Sequence, residues 1–113
     1  MELAKVIEIV KARIVAGECN GTIVEKGFSS DLMSDVLTID TDKILLITGT
    51  CNVQAIRTAE MADIQCILLV RGKIASSEMK IIAEENKMIL LESNLSMFHA
   101  VGKLYGAGLK PVY

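Results

Sequence analysis

A chain of 113 residues, 51% hydrophobic and 23% charged, fits a single domain over 1–113 and is too apolar for disorder. Its formal charge is −2, with Lys and Arg spread along the sequence. That argues against nucleic acid or an anionic membrane as a partner, since both require a concentrated basic face. Two Tyr, two Phe and no Trp leave the core to Ile, Leu, Val, Met and Ala, which suits a sheet layered with helices.

The opening "MELAKVIEIVKAR" is charged from its second residue, unlike a signal peptide. It carries Leu3, Val6, Ile7 and Val10 at helical spacing, so a first helix with one apolar stripe is expected. Gly17 and "CNG" at 19–21 are turn signals, and "GTIVEKGFS" at 21–29 reads as a short strand. In "SSDLMSDVLTI" at 29–39, Ser29 or Ser30 can cap a helix and Asp31 favours its positive end. Leu32 and Val36, like Met33 and Leu37, pair one turn apart.

From residue 43 the pattern is regular. "KILLIT" at 43–48, "CILLV" at 66–70 and "MILL" at 88–91 are continuous apolar runs of strand length, as strands covered on both faces read. Between them, 52–63 places Ala55, Ile56, Ala59 and Ala62 on one helical face. "SSEMKIIAEEN" at 76–86 has a Ser cap, Met79, Ile82 and Ala83 facing inward, and Asn86 as a left-handed stop. "NLSMFHAVGKLYGAG" at 94–108 closes the chain with a helix whose Phe98, Val101 and Tyr105 share one side. The second half is thus β-α-β-α-β-α. Right-handed crossovers make it an α/β domain with a parallel β-sheet core and helices packed on its faces. No run approaches the roughly 18 apolar residues of a membrane span.

In such sheets ligands bind beyond the carboxyl ends of the strands, here "TGTCN", "VRGKIASS" and "LESN". Cys51 lies at the start of a helix, where a thiol is acidified, but a catalytic thiol also needs a base. His99 is the only histidine and sits on the far side of the closing helix from Phe98. Arg57 is already inside a helix, out of place for a thiolate-phosphatase loop. Cys51 therefore reads as a small turn residue, and no catalytic residue is assigned. Cys66 opens a buried strand as a small hydrophobe, and Cys19 sits in a turn.

Three widely spaced cysteines without C-x-x-C, and a single His, give no metal site and fit a reduced, cytoplasmic chain. "RGK" at 71–73 offers two cations at a strand end beside a Ser-capped helix, suiting an anion, although a solvated loop reads the same way. "GKLYGAG" lies within and after a helix, not after a strand, and no Walker-A pattern occurs, so no cofactor is expected. Ser29, Ser30, Asp31, Ser34 and Asp35 could coordinate an ion or ligand, but capping and a polar outer face explain them as well.

The segments "GFSSDLMSDVL", "ILLITGTCN", "CILLVRGK" and "LSMFHAVGKLYGAGL" resemble the DRTGG domain family over most of the 113 residues. The family's name-giving residues are an Asp-Arg after the first buried strand and a Thr-Gly-Gly after the second. Gly49 matches the Gly before the Asp-Arg, where Thr50 and Cys51 now stand. Arg71 replaces the Thr, Gly72 keeps the first Gly, and Lys73 replaces the second, which makes the cleft more basic. Members occur beside nucleotide-sensing CBS pairs, in phosphate acetyltransferases, and alone near iron-only hydrogenase genes.

The resemblance implies a non-catalytic regulatory module sensing a small anionic ligand or nucleotide at Gly49, Thr50, Cys51, Asn52, Arg71, Gly72 and Lys73. Its rival is an interaction or assembly module docking on a redox enzyme, such as an iron-only hydrogenase system. A two-fold homodimer is also expected, because the apolar content exceeds what one small domain buries. With Leu32 and Val36 inward, Met33 and Leu37 would reach the partner copy.

Overall fold

A computed structural model describes residues 1–113. In chain order the elements are α1 (Leu3–Val10), β1 (Arg13–Ala16), β2 (Lys26–Ser29), α2 (Met33–Val36), β3 (Ile44–Thr48) and α3 (Val53–Met61). Then come β4 (Cys66–Leu69), α4 (Ser77–Glu85), β5 (Ile89–Glu92), α5 (Met97–Gly106) and β6 (Lys110–Pro111). They form one six-stranded sheet of order β1-β5-β4-β3-β2-β6. Strands β2 to β6 run parallel, and β1 is antiparallel to β5 at one edge.

Successive strand residues point to opposite faces, so an unbroken apolar strand feeds two cores at once. Leu46, Ile67 and Leu90 pack with Val36, Ile56 and Met79 from α2, α3 and α4. Their neighbours Leu45, Leu68 and Leu91 pack on the other face with Val6 of α1 and Ala100 and Leu104 of α5. The three sequence-predicted strands are therefore buried on both sides, parallel and adjacent. The helices diverge accordingly: the chain leaves β4 toward α4 on one face and leaves β5 toward α5 on the other.

Several local readings change. Strands β1 and β6 carry no sequence signal strong enough to find them, being mostly exposed edge segments. Of the segment 21–29 only the last four residues form a strand, and Ile23 makes a single bridge to Glu2. The left-handed residue after α4 is Lys87 at φ 56°, not Asn86, whose φ is −104°. Helix α2 is a single turn; its N-cap is Leu32 and has no side-chain cap. Leu32 is exposed and Met33 rests half-buried on the core, so the inward pair is Met33 and Val36, leaving Leu32 and Leu37 outside. On α5 the core face is Ala100 and Leu104, whereas Phe98 and Tyr105 point to solvent.

Cys66 at the start of β4 is buried, and desolvation with a smaller contribution from Cys19 pushes its thiol from 9.0 up to about 11. A raised folded-state pKa stabilises the protein below the unfolded pKa, and that contribution is lost as pH climbs through the folded value. Urea unfolding should thus show stability falling by roughly 2 kcal/mol between pH 9 and 11 from this group. Cys66→Ala should flatten that part of the profile; an unchanged slope would show the thiol is not its source.

Candidate functional site

The carboxyl ends of β2, β3, β4 and β5 line one edge of the sheet in that spatial order. Asp31, just past β2, joins the first two. Its Oδ1 accepts from the Thr48 hydroxyl at 3.0 Å and from the Gly49 N–H at 2.7 Å, and its carbonyl accepts from the Thr50 hydroxyl at 3.0 Å. Thr48 and Gly49 are buried, so these groups could not turn to water instead.

Arg71, just past β4, reaches back over the same turn. Its Nη2 donates to the Gly49 carbonyl at 3.2 Å and lies 3.7 Å from Asp31 Oδ2. The guanidinium lies so close over Gly49 that a side chain at this position would push it aside. Arg71 and Gly72 have φ of 66° and 71°, the left-handed pair of a type I′ turn, and Gly72 occupies the second place without strain. Their amides donate to Leu95 O at 2.7 Å and Ser93 O at 3.1 Å, tying this turn to the loop after β5. Four strand ends are thus connected through one carboxylate, one guanidinium and two amides.

The seven residues singled out in the sequence take different roles. Gly49 and Arg71 are in direct contact, with Thr50 and Gly72 fixing the loops around them. Asn52 is occupied as the cap of α3, its side chain accepting from Ala55 N at 2.9 Å. Lys73 is exposed and without an ion-pair partner. Cys51 Sγ donates to Ile74 O at 3.3 Å and touches Met79 Sδ at 3.9 Å. Burial, followed by the Glu92 carboxylate, raises its pKa, and Lys73 offsets this only in part. Cys51 packs on the α4 face, whereas His99 is exposed on α5, across the sheet. This is the environment of an inert thiol.

Two acids matter that the sequence reading passed over or assigned elsewhere. Asp31 is not a cap; it is the acceptor at the centre of the loop cluster and pairs with Arg71, so the cleft is less basic than the two cations suggest. Glu92, buried at the end of β5, accepts from Arg13 Nε at 3.0 Å and Ala75 N at 2.7 Å, with Arg13 Nη2 at 2.8 Å. Its one sequence signal is an acid ending the apolar run "ILLE". Cavities of about 230, 260 and 340 Å³ are lined by other residues than this cluster. No three His, Cys, Asp or Glu side chains are grouped to hold a metal, and no helix is long and apolar enough to cross a membrane.

No protein-family model matches the chain, and no curated protein matches it in sequence. Among solved structures, the α/β fold has a clear counterpart. Over 98% of its length the chain superposes, with a TM-score of 0.69 and 13% identity, on a Clostridium perfringens pyrophosphatase structure. That structure comprises the CBS and DRTGG domains of the enzyme's regulatory region, complexed with the activator diadenosine tetraphosphate. The chain covers 48% of it, about half its length. The fold is DRTGG-like.

Asp31→Ala should lower unfolding free energy by about 1–3 kcal/mol, because two buried donors lose their acceptor. Asp31→Asn keeps Oδ1 and should cost less; equal urea midpoints for the two variants would contradict this. Iodoacetamide at pH 8 should modify Cys51 more slowly than a free thiol, read by peptide mass spectrometry. Faster alkylation would mean an activated thiolate.

Proposed function

We propose that this domain is a non-catalytic, cytoplasmic regulatory module that senses a small anionic ligand, a nucleotide by preference, at loops 49–52 and 71–73. The observation that carries the reading is Arg71. Its side chain is half exposed, and only Nη2 donates within the protein, so Nε and Nη1 remain free for a phosphate oxygen. The amides of Val53 and Gln54 at the start of α3 have no partner, and Lys73 adds a mobile charge to the same edge. Because the Arg71 and Gly72 amides are taken by the neighbouring loop, recognition falls to these side chains and to α3.

The pyrophosphatase regulatory region of the same fold binds a nucleotide activator, which supports an anionic ligand for this domain too. A ligand bridging Arg71 and the β3 loop would tighten or loosen the link between strand ends, and a partner protein would read that change. Thermal melting in the presence of ATP, ADP and inorganic phosphate tests the reading. A rise in melting temperature that Arg71→Ala removes is expected. No shift at millimolar concentration from any of them would defeat it.

We also propose a two-fold homodimer, with exposed Leu32 and Leu37 beside α2 at the contact. Light scattering should then give twice the 12.3 kDa chain mass, and Leu32→Glu should return the monomer. A persistent monomer would end that part of the proposal.

A further inference from the structure

The arginine offered to a phosphate has, in this cluster, a carboxylate fixed at its side. Asp31 Oδ1 accepts from the Thr48 hydroxyl at 3.0 Å and the Gly49 N–H at 2.7 Å, so the group cannot swing away. Its other oxygen, Oδ2, takes no hydrogen bond within the chain. Arg71 Nη2 stands 3.7 Å from it, close enough for ionic attraction and too far for a hydrogen bond. Both side chains are about half exposed.

The guanidinium is oriented by the same turn. Its Nε and Nη2 lie over Gly49, and Nη2 donates to the Gly49 carbonyl at 3.2 Å. Nη1 is thus the nitrogen farthest from the turn. A phosphate accepting from Nη1 comes to rest beside the same residue pair, with its negative oxygens facing Oδ2. The loops bring little to offset this. Arg71 and Asp31 cancel, and Lys73 is the one further cation in residues 49–52 and 71–73. A nucleoside di- or triphosphate adds several negative charges to that balance.

We propose that the cluster takes its nucleotide as the magnesium complex. Arg71 holds one phosphate, and Asp31 Oδ2 holds the Mg2+ that bridges to the phosphates, directly or through a water. This rests on the reading of Arg71 as an anion site and names the form of anion it accepts. A lone carboxylate does not retain a metal, and no three His, Cys, Asp or Glu side chains are grouped to do so. Magnesium needs no such cage: it keeps several waters and is held by one or two carboxylates together with substrate phosphates. Because Thr48 and Gly49 are served by Oδ1 alone, Oδ2 can take the ion without breaking the link between β2 and β3. A ribose hydroxyl donating to Oδ2 would leave the charges opposed, whereas a divalent ion between them cancels the repulsion.

Isothermal titration calorimetry on the whole chain tests this with ADP as the probe, in excess MgCl2 and in EDTA. Wild type should bind the magnesium form at least about tenfold more tightly, because like charges face each other in the metal-free complex. Asp31→Asn keeps the Oδ1 acceptor and removes the charge. Metal-free ADP should then bind more tightly than it does to wild type, and the preference for magnesium should vanish. A merely structural Asp31 would weaken both forms alike, and that result overturns the proposal. With Mn2+ in place of Mg2+, ADP should broaden the amide resonances of residues 31 and 48–50, and Mn2+ alone should not. Broadening by the ion alone would mark a free-standing cation site and overturn the proposal. Equal affinity with and without metal overturns it too, while leaving Arg71 as an anion site. So does a loss of binding with 2′-deoxy-ADP that magnesium does not influence, which would make Asp31 a ribose contact. No binding under any condition defeats the anion reading as well.

Discussion

A strand buried on both faces must be covered twice, and this requirement organises the molecule. The three central strands, β3, β4 and β5, have no polar face to offer water. Helices α2, α3 and α4 cover one side, so the chain has to send α5 across the other, where α1 already lies. The loops after β4 and β5 therefore part toward opposite faces. The gap this opens is closed by the Arg71 and Gly72 amides and by Ser93, whose hydroxyl donates to Val10 O at 2.7 Å. The position of the candidate site follows from how the core is covered.

What the sequence disclosed, and what it hid, divides along the same line. Residues 43–48, 66–70 and 88–91 were readable as strands because two-sided burial leaves an uninterrupted apolar run. Helix α3 was readable because Ala55, Ile56 and Ala59 repeat with the helical period and are buried. Edge strands hide for the converse reason. In β1 only Ala16 is buried, and β6 is two exposed residues, one of them proline. Helix α5 misled because its largest apolar residues face outward while small Ala100 and a single Leu104 make the core contact. Periodicity reports an apolar stripe, not which neighbour covers it.

The candidate site was legible only in part. The loops containing Gly49 and Arg71 were placed at strand ends by the β-α alternation, but their direct contact depends on strand order. Asp31 was read from its local neighbours as an acid favouring the positive end of a helix. Its actual partners, Thr48 and Gly49, are 17 and 18 residues away and come within reach only through the β2–β3 pairing. One carboxylate here does two jobs: Oδ1 satisfies buried donors, while Oδ2 neutralises part of the Arg71 charge. The thiol beside them is insulated, since burial and, after it, the Glu92 carboxylate oppose its ionisation.

The pairing of the outer strands also bears on how fast the chain can find its fold. Arg13 and Glu92, which meet across β1 and β5, are 79 positions apart, and β2 and β6 join segments just as remote. The middle of the sheet, by contrast, grows by successive β-α-β steps between near neighbours. Closing a long stretch of chain costs more conformational entropy than closing a short one, and remote pairing slows folding. Closing the rim of the sheet is therefore the costlier step, and until it closes, β5 and β2 expose open hydrogen-bonding edges to other chains.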